Sequence, residues 1–126
     1  MPKKILVIDD EIFILKFMNN LLTSQGYTVL IASNGLEGID LAKKEKPDLV
    51  ITDVRMPIMT GYKVVEELRA DEQFKNVPIV IVTGYAIEEE DRVKAKQLGV
   101  TEFFLKPIEF EDILTTLSKL LGTGKS

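Results

Sequence analysis

Two adjacent carboxylates at Asp9 and Asp10, a third at Asp53, a hydroxyl at Thr83 and an ammonium at Lys106 are the groups of this sequence whose types and spacing can do chemistry together. They follow four short apolar runs, Ile5–Ile8, Leu49–Thr52, Pro78–Val82 and Thr101–Leu105. Three carboxylates brought together repel one another and hold their protons more tightly, unless a cation keeps them ionised. The chain has neither His nor Cys. The donor set is therefore all oxygen, which suits Mg2+, with Mn2+ as the alternative, rather than zinc or copper. A carboxylate beside such an ion and a fixed lysine is a nucleophile toward phosphorus, because the two cations stabilise charge on the transferring oxygens. The product of that chemistry is an aspartyl phosphate. Without histidine the chain has no phosphohistidine of its own, so a donor histidine belongs to a partner.

The elements that must position these groups alternate along the chain. The four runs, together with Thr28–Ala32, are apolar and β-branched and are expected to be strands. Between and after them, Glu11–Gln25, Asn34–Lys44, Tyr62–Ala70, Ile87–Leu98 and Phe110–Leu121 carry helical periodicity. Gly26 and Gly99 stand where helix C-terminal glycines belong, and Ser33 or Asn34 can cap the second helix. Strands apolar throughout, each followed by a helix, predict a parallel sheet covered on both faces: an α/β three-layer sandwich with right-handed crossovers. In such a sheet ligands bind at the carboxyl ends of the strands, where the winding reverses. If the first and third strands are neighbours, Asp9, Asp10 and Asp53 converge there, with Thr83 and Lys106 approaching from the other side. The second strand ends blandly at Ser33-Asn34.

Taken singly, each residue has an ordinary explanation. Asp9-Asp10-Glu11 can place negative charge at a helix start, Thr83-Gly84 can cap the next helix, and Lys106-Pro107 is a common loop pair. Jointly, chance would have to put three acids, a hydroxyl and a lysine at four strand ends out of five. The Gly124-Lys125-Ser126 ending mimics a phosphate-binding loop, but Lys119 stands where the required first glycine belongs.

With these residues in place, the sequence resembles the receiver domains of two-component response regulators, including the single-domain chemotaxis-regulator type. The likeness spans residues 3 to 121 and rests on Ile5–Glu11 (ILVIDDE), Asp48–Pro57 (DLVITDVRMP) with Gly61, Ile79–Gly84 (IVIVTG) and Phe103–Pro107 (FFLKP). It implies a flavodoxin-like (βα)5 fold with a five-stranded sheet of order 2-1-3-4-5. It also implies a role for each matching position. Asp53 is the phosphoacceptor. Asp10 is a direct Mg2+ ligand, Asp9 holds the ion through water, and the backbone carbonyl of Arg55 completes the protein ligands. Lys106 binds the phosphoryl oxygens, the Thr83 hydroxyl moves to them, and Phe103 rotates inward behind Thr83. A cis bond precedes Pro107, and Arg55 and Tyr85 flank the acceptor and set water access. Phe103 stands where many members carry tyrosine, so switching here relies on packing rather than a ring hydroxyl.

The resemblance implies a signalling module with weak self-phosphorylation and self-dephosphorylation, not a turnover enzyme. Its implied partners are a sensor histidine kinase or histidine phosphotransfer protein and a downstream protein, with homodimerisation through the fourth helix, fifth strand and fifth helix. A dehalogenase-type phosphatase would need an acid two residues after Asp53, where Arg55 stands. A flavodoxin-like cofactor binder would not place Asp9-Asp10-Glu11 where a phosphate must sit. A non-phosphorylated receiver-like scaffold is the remaining alternative, although every acceptor-site residue is present.

Composition fits one domain, expected at 1–121, with a flexible tail at 122–126: of 126 residues, 45% are apolar, enough for a core without disulfides or metal staples. The net charge of −4 argues against nucleic-acid or anionic-membrane binding. The N-terminal apolar run is too short for a signal peptide or a span, so a cytoplasmic protein is expected. On the first helix, Ile14, Phe17, Met18 and Leu21 are expected to face the core. Ile12 then falls on the opposite side and Leu15 at the margin, both available for kinase docking.

Overall fold

The computed structural model describes residues 2–84, 89–107 and 109–122. The elements run β1 (Lys4–Ile8), α1 (Ile12–Ser24), β2 (Thr28–Ala32), α2 (Gly35–Glu45), β3 (Leu49–Thr52), α3 (Gly61–Arg69), β4 (Ile79–Thr83), α4 (Glu89–Leu98), β5 (Glu102–Leu105) and α5 (Phe110–Leu121). All strand pairs are parallel, in the order β2-β1-β3-β4-β5. The chain therefore has the expected flavodoxin-like architecture. No helix among the described residues is long and apolar enough to cross a membrane.

Strand alternation divides the apolar residues between two cores. Leu6, Ile8, Val50, Ile79 and Ile81 join Val64, Val65 and Leu68 of α3 on one face. Ile5, Val7, Leu49, Ile51, Val80 and Val82 join Leu15, Met18, Leu22, Ile113 and Leu117 of α1 and α5 on the other. The interior strands β1, β3 and β4 are thus apolar at nearly every position because both sides are covered, while edge strands β2 and β5 remain partly exposed. Each fully buried large apolar side chain contributes about 1.5–3 kcal/mol.

The helix ends follow local chemistry. The Asn34 side chain accepts from the Glu37 N–H at 2.9 Å, and the Thr60 hydroxyl accepts from Lys63 at 3.2 Å. Gly26 and Gly99, at φ 94° and 101°, close α1 and α4 with paired backbone bonds, Gly26 to Thr23 with Tyr27 to Leu22, and Gly99 to Lys96 with Val100 to Ala95.

The first helix departs from expectation. Leu15 is buried with Met18 and Leu22, Ile14 and Leu21 are half-buried, and Phe17 is 41% exposed. This helix is apolar almost all round, so periodicity alone does not select the inner face; docking against β1 and α5 does. Phe17 instead meets Phe110 of α5, ring centroids 5.0 Å apart. Ile12 is exposed as expected. The start expected at Ile87 for the fourth helix and the tail beyond Gly122 lie outside the described residues.

A 3-10 turn at Glu72–Phe74, not anticipated, buries Phe74 before β4. It is organised by Arg69, whose Nη1 donates to the carbonyls of Phe74 and Val77 while Nε and Nη2 both donate to Gly99. One guanidinium thereby ties α3, the approach to β4 and the end of α4. Arg69→Met, which keeps the stem and removes the donors, is expected to lower stability by about 2–4 kcal/mol, read as a lower urea midpoint. Arg69→Lys should recover little, since one ammonium cannot reach carbonyls on opposite sides.

Candidate functional site

Asp9, Asp53 and Lys106 each stand one step beyond a strand end, held by a continuation of the ladder. The Asp9 N–H donates to Ala32 O at 3.1 Å, Asp53 N–H to Ile8 O at 3.0 Å and Lys106 N–H to Thr83 O at 2.7 Å. The adjacency of β1 and β3 brings one oxygen from each of Asp9, Asp10 and Asp53 within 4.8 Å of one another. Asp9 and Asp53 are buried, at 3% and 6% exposure, and Asp10 is exposed.

Lys106 reaches this cluster from β5. Its Nζ lies 3.0 Å from Asp9 Oδ2 and 3.2 Å from Asp53 Oδ2. The remaining oxygens are also engaged: Asp9 Oδ1 accepts from Glu11 N–H at 3.0 Å, and Asp53 Oδ1 from Val54 N–H at 2.6 Å. Burial pushes the Asp9 carboxyl above its ordinary pKa, and the Asp53 charge adds to this; the Glu11 N–H and Lys106 oppose it without cancelling it. Burial pulls Lys106 down, but its bonds to Asp9 and Asp53 outweigh that and hold it above an ordinary lysine. Lys106 is therefore cationic at neutral pH.

The loop from β3 to α3 shapes the surroundings of Asp53. Met59 N–H donates to Pro57 O at 2.8 Å with Ile58 at φ 75°, a γ-turn centred on a β-branched residue, which is a sparsely populated conformation. Gly61 N–H returns to Val54 O at 2.8 Å. A Cβ at Gly61 would strike the Asp53 carbonyl oxygen, so only glycine lets α3 begin this close to Asp53. Neither Ile58 nor Arg69 was legible as a constraint in the sequence; Gly61 was, as part of the family pattern.

The other expected residues fall as follows. Thr83 ends β4 with 1% exposure, and its hydroxyl has no hydrogen-bond partner among the described residues, which is costly for a buried polar atom. Arg55 is exposed and, with Asp10, Glu11, Asp53, Gly84 and Lys106, lines a cleft of about 410 Å3. Phe103 is half-buried on β5 opposite Ile81, toward the α3 core, with the Arg92 guanidinium 5.5 Å from its ring centre. The Lys106–Pro107 bond is cis. Tyr85 lies outside the described residues.

Three carboxylates against one ammonium leave the cleft with excess negative charge and only oxygen donors, which fits a hard divalent cation. The unpartnered hydroxyl and the lysine stand ready for an oxyanion. The arrangement can bind a divalent ion and a phosphoryl group together.

Comparison with known proteins agrees with this geometry. The profile of the response regulator receiver domain matches residues 5–118. The chain is 31% identical over 122 residues to the polar-differentiation response regulator DivK of Brucella anthropi, covering 97% of this chain and 98% of that protein. Chemotaxis protein CheY4 of Vibrio cholerae superimposes with a TM-score of 0.90 at 35% identity, over 96% of this chain and 100% of that one. The receiver domain of a sensor histidine kinase from Pseudomonas aeruginosa, solved with a magnesium ion coordinated in its active-site cleft, matches with a TM-score of 0.87 at 27% identity, over 97% and 99% of the two chains.

The raised pKa of Asp9 makes a stability prediction. The folded state binds this proton more tightly than the unfolded chain, so stability falls as pH rises through the carboxylate range, and ionised Asp9 is a cost at neutral pH. In Mg2+-free buffer at neutral pH, Asp9→Asn should therefore have a higher urea midpoint than wild type. The difference should close below the carboxylate range, where wild-type Asp9 is protonated.

Proposed function

The chain belongs to the response regulator receiver family of two-component signalling proteins, and from that premise we propose that Asp53 is its phosphoacceptor and that phosphorylation switches its surface for a partner. The observation that carries this reading is the engagement of Asp53: one carboxylate oxygen lies on the Lys106 ammonium, inside a cluster of three acids.

In transfer, an oxygen of Asp53 forms the new bond to phosphorus as the phosphorus–nitrogen bond of a partner's phosphohistidine breaks, and the ring, already protonated on its other nitrogen, leaves with the electron pair as neutral imidazole. Lys106, held cationic by its two carboxylates, stabilises the phosphoryl oxygens. Asp9, Asp10 and Asp53, with the Arg55 carbonyl, would hold Mg2+ or Mn2+, and the bound ion supplies further positive charge against those oxygens. The buried Thr83 hydroxyl gains in the phosphoryl group the acceptor it otherwise lacks. Its movement vacates space toward which Phe103, two rungs back on the adjacent strand, can turn. Water attacking the same phosphorus releases phosphate and restores the carboxylate, with Arg55 and Tyr85 setting its access. The activity is self-phosphorylation and self-dephosphorylation at one site.

The switched surface is α4–β5–α5, offered to a downstream protein or to a second copy of the chain. The donor is a sensor histidine kinase or histidine phosphotransfer protein in the cytoplasm. It docks at the α1 end of the cleft, where Ile12 is exposed beside Asp10; Leu15, being buried, takes no part. On another side of α1, an apolar pocket of about 440 Å3 toward α5 is walled by Ile14, Phe17, Met18 and Phe110 and reaches Lys106. Residues 1–121 act as the unit, with 122–126 as a tail.

Incubation with acetyl phosphate and Mg2+ should give a single phosphoryl adduct by intact-mass spectrometry, absent from Asp53→Asn and from a chelated control. Lys106→Met should slow labelling by on the order of 100-fold. An unlabelled wild type under conditions that label another receiver would overturn the reading. Ile12→Ala should slow transfer from the partner phosphohistidine while labelling from acetyl phosphate is unchanged; equal partner rates would remove the docking assignment.

A further inference from the structure

The fourth helix is lightly anchored. Ala95 is its only buried residue among those described. Its end is fixed through Gly99, which Arg69 clamps, but its body meets its neighbours through side chains near the surface. Two of these contacts are cations on aromatic faces: Lys94 lies 5.5 Å from the Tyr62 ring centre on α3, and Arg92 lies 5.5 Å from that of Phe103 on β5. Arg92 forms no ion pair among the described residues, although Glu89, Glu90 and Asp91 precede it. Its contact is the ring.

Phe103 carries no hydroxyl, so no hydrogen bond of its own can fix the orientation of its ring. The electron-rich face of the ring offers another hold, and a guanidinium over it is an attraction that a purely apolar neighbour would not supply. Beside the pair lies a surface cavity of about 250 Å3, walled by Ala95, Lys96, Val100 and Thr101 as well as Arg92 and Phe103. The ring therefore has a cation over one face and open space at its border, while it packs against the edge of the α3 core.

We propose that Arg92 is a positioning residue that holds Phe103 in its resting orientation and so sets how readily the domain switches. This rests on the phosphoacceptor reading: when the ring turns toward the space behind Thr83 it leaves the guanidinium, and the lost contact is part of the cost of the active state. Removing the cation lowers that cost, so the active state, and any ligand that selects it, is favoured. In this chain the contact does the holding that a ring hydroxyl cannot do.

The test uses beryllofluoride with Mg2+ as the phosphoryl mimic, on wild type, Arg92→Met and Arg92→Lys. Each protein carries 4-fluorophenylalanine introduced at position 103 as a fluorine NMR reporter. Arg92→Met should bind the mimic about two- to five-fold more tightly, the factor corresponding to an exposed cation–π contact. Arg92→Lys, which keeps the charge, should fall between it and wild type. The reporter at position 103 should shift toward its beryllofluoride-bound position in Arg92→Met before any mimic is added. Replacing Phe103 by progressively more fluorinated phenylalanines, which empties the ring face of negative charge, should reproduce the tightening in steps, and should do nothing further in the Arg92→Met background. A merely structural role would not produce that graded, background-dependent series. Equal affinities across the Arg92 variants, with the mimic bound normally, overturn this inference and leave the phosphoacceptor reading standing. A wild type that binds no mimic brings down that reading and the inference with it.

Discussion

Two carboxylates buried side by side repel each other and lose their hydration, and the Lys106 ammonium, 3.0 Å from Asp9 and 3.2 Å from Asp53, is what makes that arrangement tenable. The ammonium comes from β5 and the acids from β1 and β3, so the ion cluster crosses the sheet over β4 and depends on every strand between being in register. A slip of one residue in β3 would turn Asp53 to the opposite face and send Thr52 into its place. The pairing of Ile8 with Thr52, and of Thr83 with Leu105, is therefore as much a part of the site as the charges are.

The two cores enforce that register. Because alternate residues of β1, β3 and β4 fill different cores, a slipped strand would exchange its entire contents between two already filled spaces. Apolar packing, which has no directional preference of its own, is thus converted into an atomic-scale constraint on where three carboxylates lie. The electrostatic cost of the cluster is tolerated because the sheet beneath it is overdetermined.

Much of this was legible in the sequence. Uniformly apolar strands mean two covered faces, and the acids, hydroxyl and lysine closing those strands announce their convergence once the order is known. The order itself came from family resemblance, since short parallel strands carry no local signal of which neighbour they pair with. The inner face of α1 was not legible, because a helix apolar around most of its circumference leaves the choice to its tertiary neighbours; Leu15 is buried, and Phe17 sits against Phe110 instead. Arg69 gave no sign either. Its partners are main-chain carbonyls, which every residue has, so nothing in the side-chain pattern marks them. The γ-turn at Ile58 was hidden for a related reason: a β-branched residue at positive φ contradicts local preference and is imposed by the fold around it.

The backbone bonds that carry the ladder one residue beyond the strands bear on how the molecule fluctuates. The amides of Asp9, Asp53 and Lys106 are paired to the sheet itself, and that of Asp53, between the interior strands β1 and β3, is the one whose exchange requires the costliest opening. Helix α4, with one buried side chain, belongs to the opposite class and opens cheaply. The molecule thus divides its anchoring by depth: the acids of the cluster are mounted on the paired sheet, and α4 lies on the lightly held surface. A helix held by so few buried contacts is the element whose position costs least to change.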